Sequence, residues 1–258
     1  MHDLTLWTFL LLAIAAGAAG WVDAVSGGGG LLQLPALFIA LPPGSEVNAL
    51  ATNKFSSFFG TGTAARTYVK HLNPDWKTAL PMAGVAFVFS ALGAATTHVI
   101  PTEYFGVGIL IALVLVWVWT LVNPLMGATS NMRWGGSRRH YLAAIGVGSV
   151  IGFYDGIFGP GTGSFLLIAL VSLLGYSFLS ASSTAKIVNL GTNAAALIVF
   201  GFTGSILWTL GIVMAVCNIG GAYFGARTAI RRGSPFVRFV FLGITAILIV
   251  RLAWDLWP

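Results

Sequence analysis

Ten apolar stretches follow one another along the chain, at 4–25, 28–42, 47–65, 78–98, 106–125, 141–158, 162–175, 179–200, 207–226 and 236–256. Most are long enough for a helix to cross hydrocarbon, which takes about 20 residues. No water-soluble domain of 258 residues needs 57% hydrophobic and only 8% charged residues to fill its core. The chain therefore reads as an all-α, polytopic membrane protein with the lipid bilayer as its first partner. Two stretches, 28–42 and 162–175, are shorter than the rest. The opening MHDLTLWTFLLLAIAAGAAG lacks the basic start of a secretory signal and is followed by no convincing cleavage region, so it reads as the first spanning segment.

A shift of 132 residues, without a gap, places Gly20 on Gly152, Asp23 on Asp155, Gly27 on Gly159, Gly29 on Gly161, Thr52 on Thr184 and Lys54 on Lys186. Trp76 then falls on Trp208, Met82 on Met214, Gly93 on Gly225 and Thr96 on Thr228. The matches gather at polar and glycine positions, where apolar composition does not produce them by chance. The expected organisation is two copies of one unit, a first transmembrane repeat at 1–125 and a second at 141–258, joined by a cytoplasmic linker at 126–140.

Loop charges orient the copies. The connection at 66–77 carries Arg66, Lys70 and Lys77, whereas its counterpart at 198–209 carries no charge. The next pair swaps: 99–105 holds only Glu103, while 227–238 holds Arg227, Arg231, Arg232 and Arg238. By the positive-inside rule equivalent loops face opposite sides, and Arg133, Arg138 and Arg139 place the central loop inside. Each copy then crosses an odd number of times. The expectation is two inverted-topology repeats of about five hydrophobic segments each, with both termini outside and the short segments either crossing or re-entrant. Because the bases sit in or beside inter-helix loops, the net charge of +6 is a topology signal and not a nucleic-acid footprint.

GWVDAVSGGGGLLQLP and GFYDGIFGPGTGSFLL each join a first segment to a short second one. Unpaired backbone groups are not tolerated in lipid, so irregular chain at membrane depth must be buried in protein or line a wet cavity. Each glycine run is expected to break a helix and start another near the midplane, offering free N–H donors to an anion. Gly28, Gly29 and Gly30 in the first copy, and Gly161, Thr162, Gly163 and Ser164 in the second, are the candidate backbone contacts.

With loop charges and chain ends set aside, four charges remain in the membrane interior: Asp23 and Asp155, Lys54 and Lys186. An ionised residue there costs ~2.5–3.5 kcal/mol or more, so each should face the bundle interior with a partner. Two readings stand. In one, the aspartates cap the following short helices or pair with the lysines as a structural lock; in the other, the lysines attract an anion and the aspartates relay protons. Thr52, Asn53, Ser56 and Ser57, with Thr184, Asn189, Thr192 and Asn193, surround the lysines with hydrogen-bonding groups suited to oxyanion oxygens.

His2, His71, His98 and His140 fall at segment ends or in loops, with no pair at metal-ligand spacing, and are expected to be interfacial. The single cysteine, Cys217, lies in an apolar run and serves as core filler. The sequence contains no Ser/His/Asp set, no HExxH and no acidic cluster, so neither an enzyme, a metal site nor a cofactor is expected.

SGGGGLLQLPALFIALPPGSEVNALATNKFSSFFGTGTAA, at 26–65, and GFYDGIFGPGTGSFLLIALVSLLGYSFLSASSTAKIVNLGTNAAALIVF, at 152–200, resemble the paired signatures of the sulfite exporter TauE/SafE family of bacterial membrane permeases. The resemblance spans essentially the whole chain. It implies a multi-pass protein of the bacterial inner membrane, a secondary transporter exporting small sulfur-containing anions such as sulfite or organosulfonates by alternating access. A channel, or a carrier of a non-sulfur organic anion, is the alternative, and a homo-oligomer is compatible with either. Copy one has GGGG where copy two has GPGT, so the half-sites need not contribute equally.

Overall fold

Hydroxyl side chains start several of the helices. Thr5, Ser137 and Ser177 each accept a backbone N–H three residues on, from Thr8, His140 and Ser180, at 3.3, 3.4 and 3.2 Å, which satisfies one of the orphan donors of a first turn. A computed structural model describes residues 5–96, 110, 114, 115, 117, 118, 120–123 and 125–256, without the side chains of 248, 251, 252, 255 and 256. Its helices are α1 (Leu6–Ser26), α2 (Gly29–Ala40), α3 (Glu46–His71), α4 (Trp76–Thr96), α5 (Arg138–Ile157), α6 (Thr162–Ala169, continued by a π-helical turn at Leu170–Leu174), α7 (Phe178–Phe202) and α8 (Trp208–Leu256). Among the described residues every regular element is helical.

Both short segments are helices, and both glycine runs break the chain ahead of them. α1 ends at Gly27 and α5 ends before Gly159 and Gly161, all three in the left-handed region. α8 is interrupted at Gly233, with Pro235 just beyond, and so forms two arms. The fifth segment of the first copy, 106–125, and the loop holding Glu103 lie mostly outside the described residues; Trp117 donates to the Leu242 carbonyl at 2.9 Å on the second arm of α8.

Among the described residues four helices are apolar and long enough to cross a membrane: α1, α4, α7 and the Trp208–Ile247 part of α8. Large apolar side chains point outward along them, including Phe202 at 90% and Leu6 at 76% exposure, an arrangement that water would not support. The chain is a multi-pass membrane protein. α3 is the most polar long helix, yet it is packed against α7 and α8 and turns Thr52, Asn53, Lys54, Ser56 and Thr61 inward.

α1 lies along the first arm of α8, and α4 lies along α5. A Cβ on Gly20 would run into the Asn218 carbonyl, and one on Gly225 into that of Trp21. The same collisions recur for Gly152 with Ala86 and Gly93 with Phe153, each member displaced by 132 residues. α3 packs on α8 as α7 packs on α4, and α3 packs on α7. The starts of α1, α3 and α4, at 6, 46 and 76, recur at 138, 178 and 208.

One end of the molecule gathers the bases. There the loop after α3, the start of α5 and the turn before α7 are knotted together by Asp75, which accepts from the Thr78 and Tyr176 hydroxyls, both at 2.8 Å. His140 Nε2 is 2.9 Å from the Thr78 hydroxyl. The Leu179 N–H donates to Ser234 Oγ, bringing the bend of α8 to the same end. α3 therefore ends where α7 begins. Arg66 and Lys70, expected in a loop, lie in the last turns of α3, and Arg227, Arg231 and Arg232 lie on α8, because both helices run past the apolar stretch. At the other end Asn48 donates to the Ser205 carbonyl at 2.9 Å.

His140 lies at a segment start, at the base-rich end, yet it is 1% exposed. Its position at a segment start was legible, but the polar knot that lets it be buried is assembled from three separate loops.

Two outcomes follow from this packing. Gly93→Leu and Gly225→Leu should each destabilise the purified protein by about 1–3 kcal/mol or more, whereas Gly84→Leu and Gly146→Leu, with nothing within 4 Å, should stay within about 0.5 kcal/mol; thermal unfolding in detergent reads the difference. At Asp75, burial pushes the carboxyl up, but hydrogen bonds from Tyr176 and Thr78 outweigh it and hold the group below its ordinary value. A depressed carboxyl stabilises the fold above its unfolded pKa of about 3.9 and loses that contribution as pH falls through the folded value. Unfolding temperature should fall in that acid window, and Asp75→Asn should flatten the fall; an identical acid limb in both proteins would exclude Asp75 as its source.

Candidate functional site

The two interior lysines occupy equivalent turns of α3 and α7, and each reaches the opposite half of the chain. Lys54 Nζ is 2.6 Å from Asp155 Oδ2 of α5, and Lys186 Nζ is 2.8 Å from Asp23 Oδ2 of α1. Thr61 also donates to Asp23 Oδ2, at 3.2 Å. The first pair is almost fully buried; Asp23 retains 14% exposure of its side chain. Among the described residues these are the ion pairs of the molecule.

The helix breaks determine where the carboxylates sit. Asp23 and Asp155 lie in the last turns of α1 and α5. The N-caps of α2 and α6 are Gly28 and Gly161, and neither receives a side-chain bond. The aspartates thus pair with lysines and do not cap the short helices. A helix C-terminus carries partial negative charge, so each carboxylate stands where its own helix opposes it and the lysine of the other half favours it.

The breaks touch each other. A Cβ on Gly163 would lie 2.6 Å from the Gly27 Cα, so the elbow after α1 crosses the first turn of α6 backbone to backbone, and only glycine permits that approach. Ser164 fixes the crossing by donating to the Ser26 carbonyl at 2.9 Å. Gly159, at φ 81, leaves room for the Lys54 ammonium: a Cβ there would be 2.9 Å from Nζ.

Between the pairs and the elbows is a cavity of about 20 Å³ lined by Asp23, Lys54, Asp155, Asn53, Ser57 and Thr61, by Gly27, Gly30, Gly159 and Gly163, and by Asn189 and Asn193. That is room for about one water molecule. The site is polar and bounded by both halves.

Of the residues expected at the site, the structure brings together Gly30, Asn53, Lys54, Ser57, Gly163, Asn189 and Asn193 with both aspartates, and Lys186 joins through Asp23. The others lie outside the cavity wall. Thr52 accepts the Leu207 N–H at 3.1 Å, and Thr192 donates to the Asn189 carbonyl at 3.0 Å. Ser56 and Thr184 are buried with no hydrogen-bond partner among the described residues. Gly28 and Gly161 cap the short helices, Gly29 packs against Ala19 and Asp23, and Thr162 donates to the Gly159 carbonyl. Sequence reasoning missed Gly27, Gly159 and Thr61 as lining residues. The 132-residue shift was the available signal: it pairs Gly27 with Gly159 and Thr61 with Asn193.

Comparison with known proteins agrees with this architecture. The family model described as sulfite exporter TauE/SafE matches residues 12–252. A probable membrane transporter protein, ORF9, of Sinorhizobium sp is 33% identical over 99% of this chain and 96% of its own length. The probable membrane transporter protein YfcA of Escherichia coli K12 is 31% identical over 95% of this chain and 89% of its own, and a probable membrane transporter protein of Haemophilus influenzae is 29% identical over 98% and 97%. No solved structure matches. A family match over nearly the whole length, with relatives of the same extent, makes this chain a member of the sulfite exporter TauE/SafE family of membrane transporters.

Proposed function

We propose that the protein is a secondary transporter that exports small sulfur-containing anions, sulfite or organosulfonates, across the bacterial inner membrane, with Lys54 and Lys186 as the anion-contacting groups. The observation that carries the reading is the crossed pair of buried lysine–aspartate contacts at a small polar cavity between two broken helices. An ammonium in that position has one carboxylate partner, and an oxyanion can take the carboxylate's place as hydrogen-bond acceptor. Asn53, Ser57, Thr61, Asn189 and Asn193 supply neutral donors around it.

Two inverted-topology repeats suit this function. Their support is the exchange of contacts under the 132-residue shift, the gathering of bases at one end, and the opposite chain directions of α3 and α7 there. Rocking of one half against the other would open a midplane site to either side in turn, which is alternating access. Room for about one water favours a carrier over a channel, which needs a continuous path. Asp23 and Asp155 are the coupling candidates: protonating either neutralises the lysine's resident partner and frees the ammonium for the anion.

Lys54→Ala alone should destabilise the protein by about 3–5 kcal/mol, because it strands a buried Asp155. Lys54→Met with Asp155→Leu should regain most of that stability yet keep sulfite flux into liposomes at a small fraction of wild type. Full flux in the stable double variant would remove Lys54 from anion binding. For coupling, Asp23→Asn should abolish pH-gradient-driven accumulation and retain exchange of labelled for unlabelled anion; loss of both together would assign Asp23 to structure alone.

A further inference from the structure

We propose that the groove between the last turns of α3 and the first arm of α8 binds the phosphate headgroup of an anionic phospholipid. A cavity of about 460 Å³ opens there, walled by Arg66, Lys70, His71 and Arg227 on one side of the chemistry and by Ile219 and Tyr223 on the other. Arg66 and Lys70 are one helical turn apart and share a face. Arg227 approaches from α8 with its guanidinium 5.0 Å from the Tyr223 ring centroid, which holds it over the groove. No carboxylate lines the cavity, and none pairs with these bases among the described residues.

Positive charge at this end is expected from the positive-inside rule alone, so the placement of the charge has to decide. Arg133, Arg138 and Arg139 meet that rule from an exposed loop and helix start. The groove bases come from two helices and meet in one concavity. Under the 132-residue shift Arg66, Lys70, His71 and Arg227 correspond to Ile198, Phe202, Thr203 and Ala95, and Ile219 and Tyr223 correspond to Phe87 and Ala91. The equivalent groove in the other half is therefore without charge.

The wall chemistry selects the ligand. A phosphodiester monoanion satisfies three or four convergent cationic groups, arginine above all. The apolar wall continues away from the bases along α8 through Val216 and Ile212, 64% and 53% exposed, which is where an acyl chain below a headgroup would run. Basic pockets between membrane helices bind lipid headgroups by this combination. A free phosphate uses the charges and leaves the apolar wall idle.

The full-length protein, purified in detergent, can be titrated with phosphatidylglycerol or phosphatidylethanolamine and its adducts counted by native mass spectrometry. Phosphatidylglycerol should be retained in preference. Arg66→Gln with Lys70→Gln and Arg227→Gln should weaken that binding about tenfold or more, while Arg133→Gln with Arg138→Gln and Arg139→Gln, removing equal charge from the same end, should leave it unchanged. Equal loss in both triple variants, equal binding of the two lipids, or displacement of the lipid by millimolar inorganic phosphate would each overturn the proposal.

Discussion

The structure depends on two ion pairs that neither half of the chain can make alone. An unpaired charge at membrane depth costs ~2.5–3.5 kcal/mol or more, and each half carries one acid and one base. Those two groups do not meet within a half: Lys54 pairs with Asp155 and Lys186 with Asp23. Each half is left with two uncompensated charges until the other docks, so the pairing makes assembly of the halves a condition for burial. The carboxylates gain nothing from their own helices, whose C-terminal ends repel them.

The elbows follow from that requirement. α3 and α7 must lie side by side at the centre for their lysines to reach across, and α1 and α5 must end at the same depth to present the aspartates. Ending a helix inside the bilayer exposes backbone groups, and the crossing of Gly27 with Gly163 covers them with the opposite elbow. Glycine at both positions is the condition for that cover, because any side chain would hold the elbows apart. α2 is correspondingly short: its 12 residues rise only about 18 Å, less than the ~30 Å of a hydrocarbon core.

Much of this was legible in the sequence because the polar residues of a membrane chain are few. The 132-residue shift aligned Asp23, Lys54 and the glycine runs, and the helix starts recur at the same spacing. The crossing of the pairs was not legible. Periodicity places Asp23 and Lys54 in neighbouring segments of one copy, and nothing local indicates that α1 lies along α8 and α4 along α5, which is what turns each carboxylate toward the other half's lysine. Helix ends were misjudged where hydropathy stops before the helix does, as at Arg66 and Lys70, because an arginine or lysine at the boundary is as good a helix former as leucine and simply leaves the lipid. The burial of His140 also escaped, since its partners Thr78 and Tyr176 come from separate connections.

A cavity with room for about one water, bounded by two ion pairs, also constrains how the molecule can open. Separating the halves on one side must pull a lysine from its aspartate or carry the pair along intact. Leaving either charge bare is costly, so an opening that breaks a pair has to be matched by something that replaces the lost partner: an anion beside the lysine, and a proton or water beside the carboxylate. The two pairs are equivalents under the 132-residue shift but differ in burial, Asp155 being almost fully enclosed and Asp23 retaining 14% exposure, so the exchange costs more at Lys54–Asp155 than at Lys186–Asp23. The pairs that hold the halves together are then the same contacts that make opening conditional on a ligand, so in the proposed carrier stability of the closed state and selectivity for anions have one physical source.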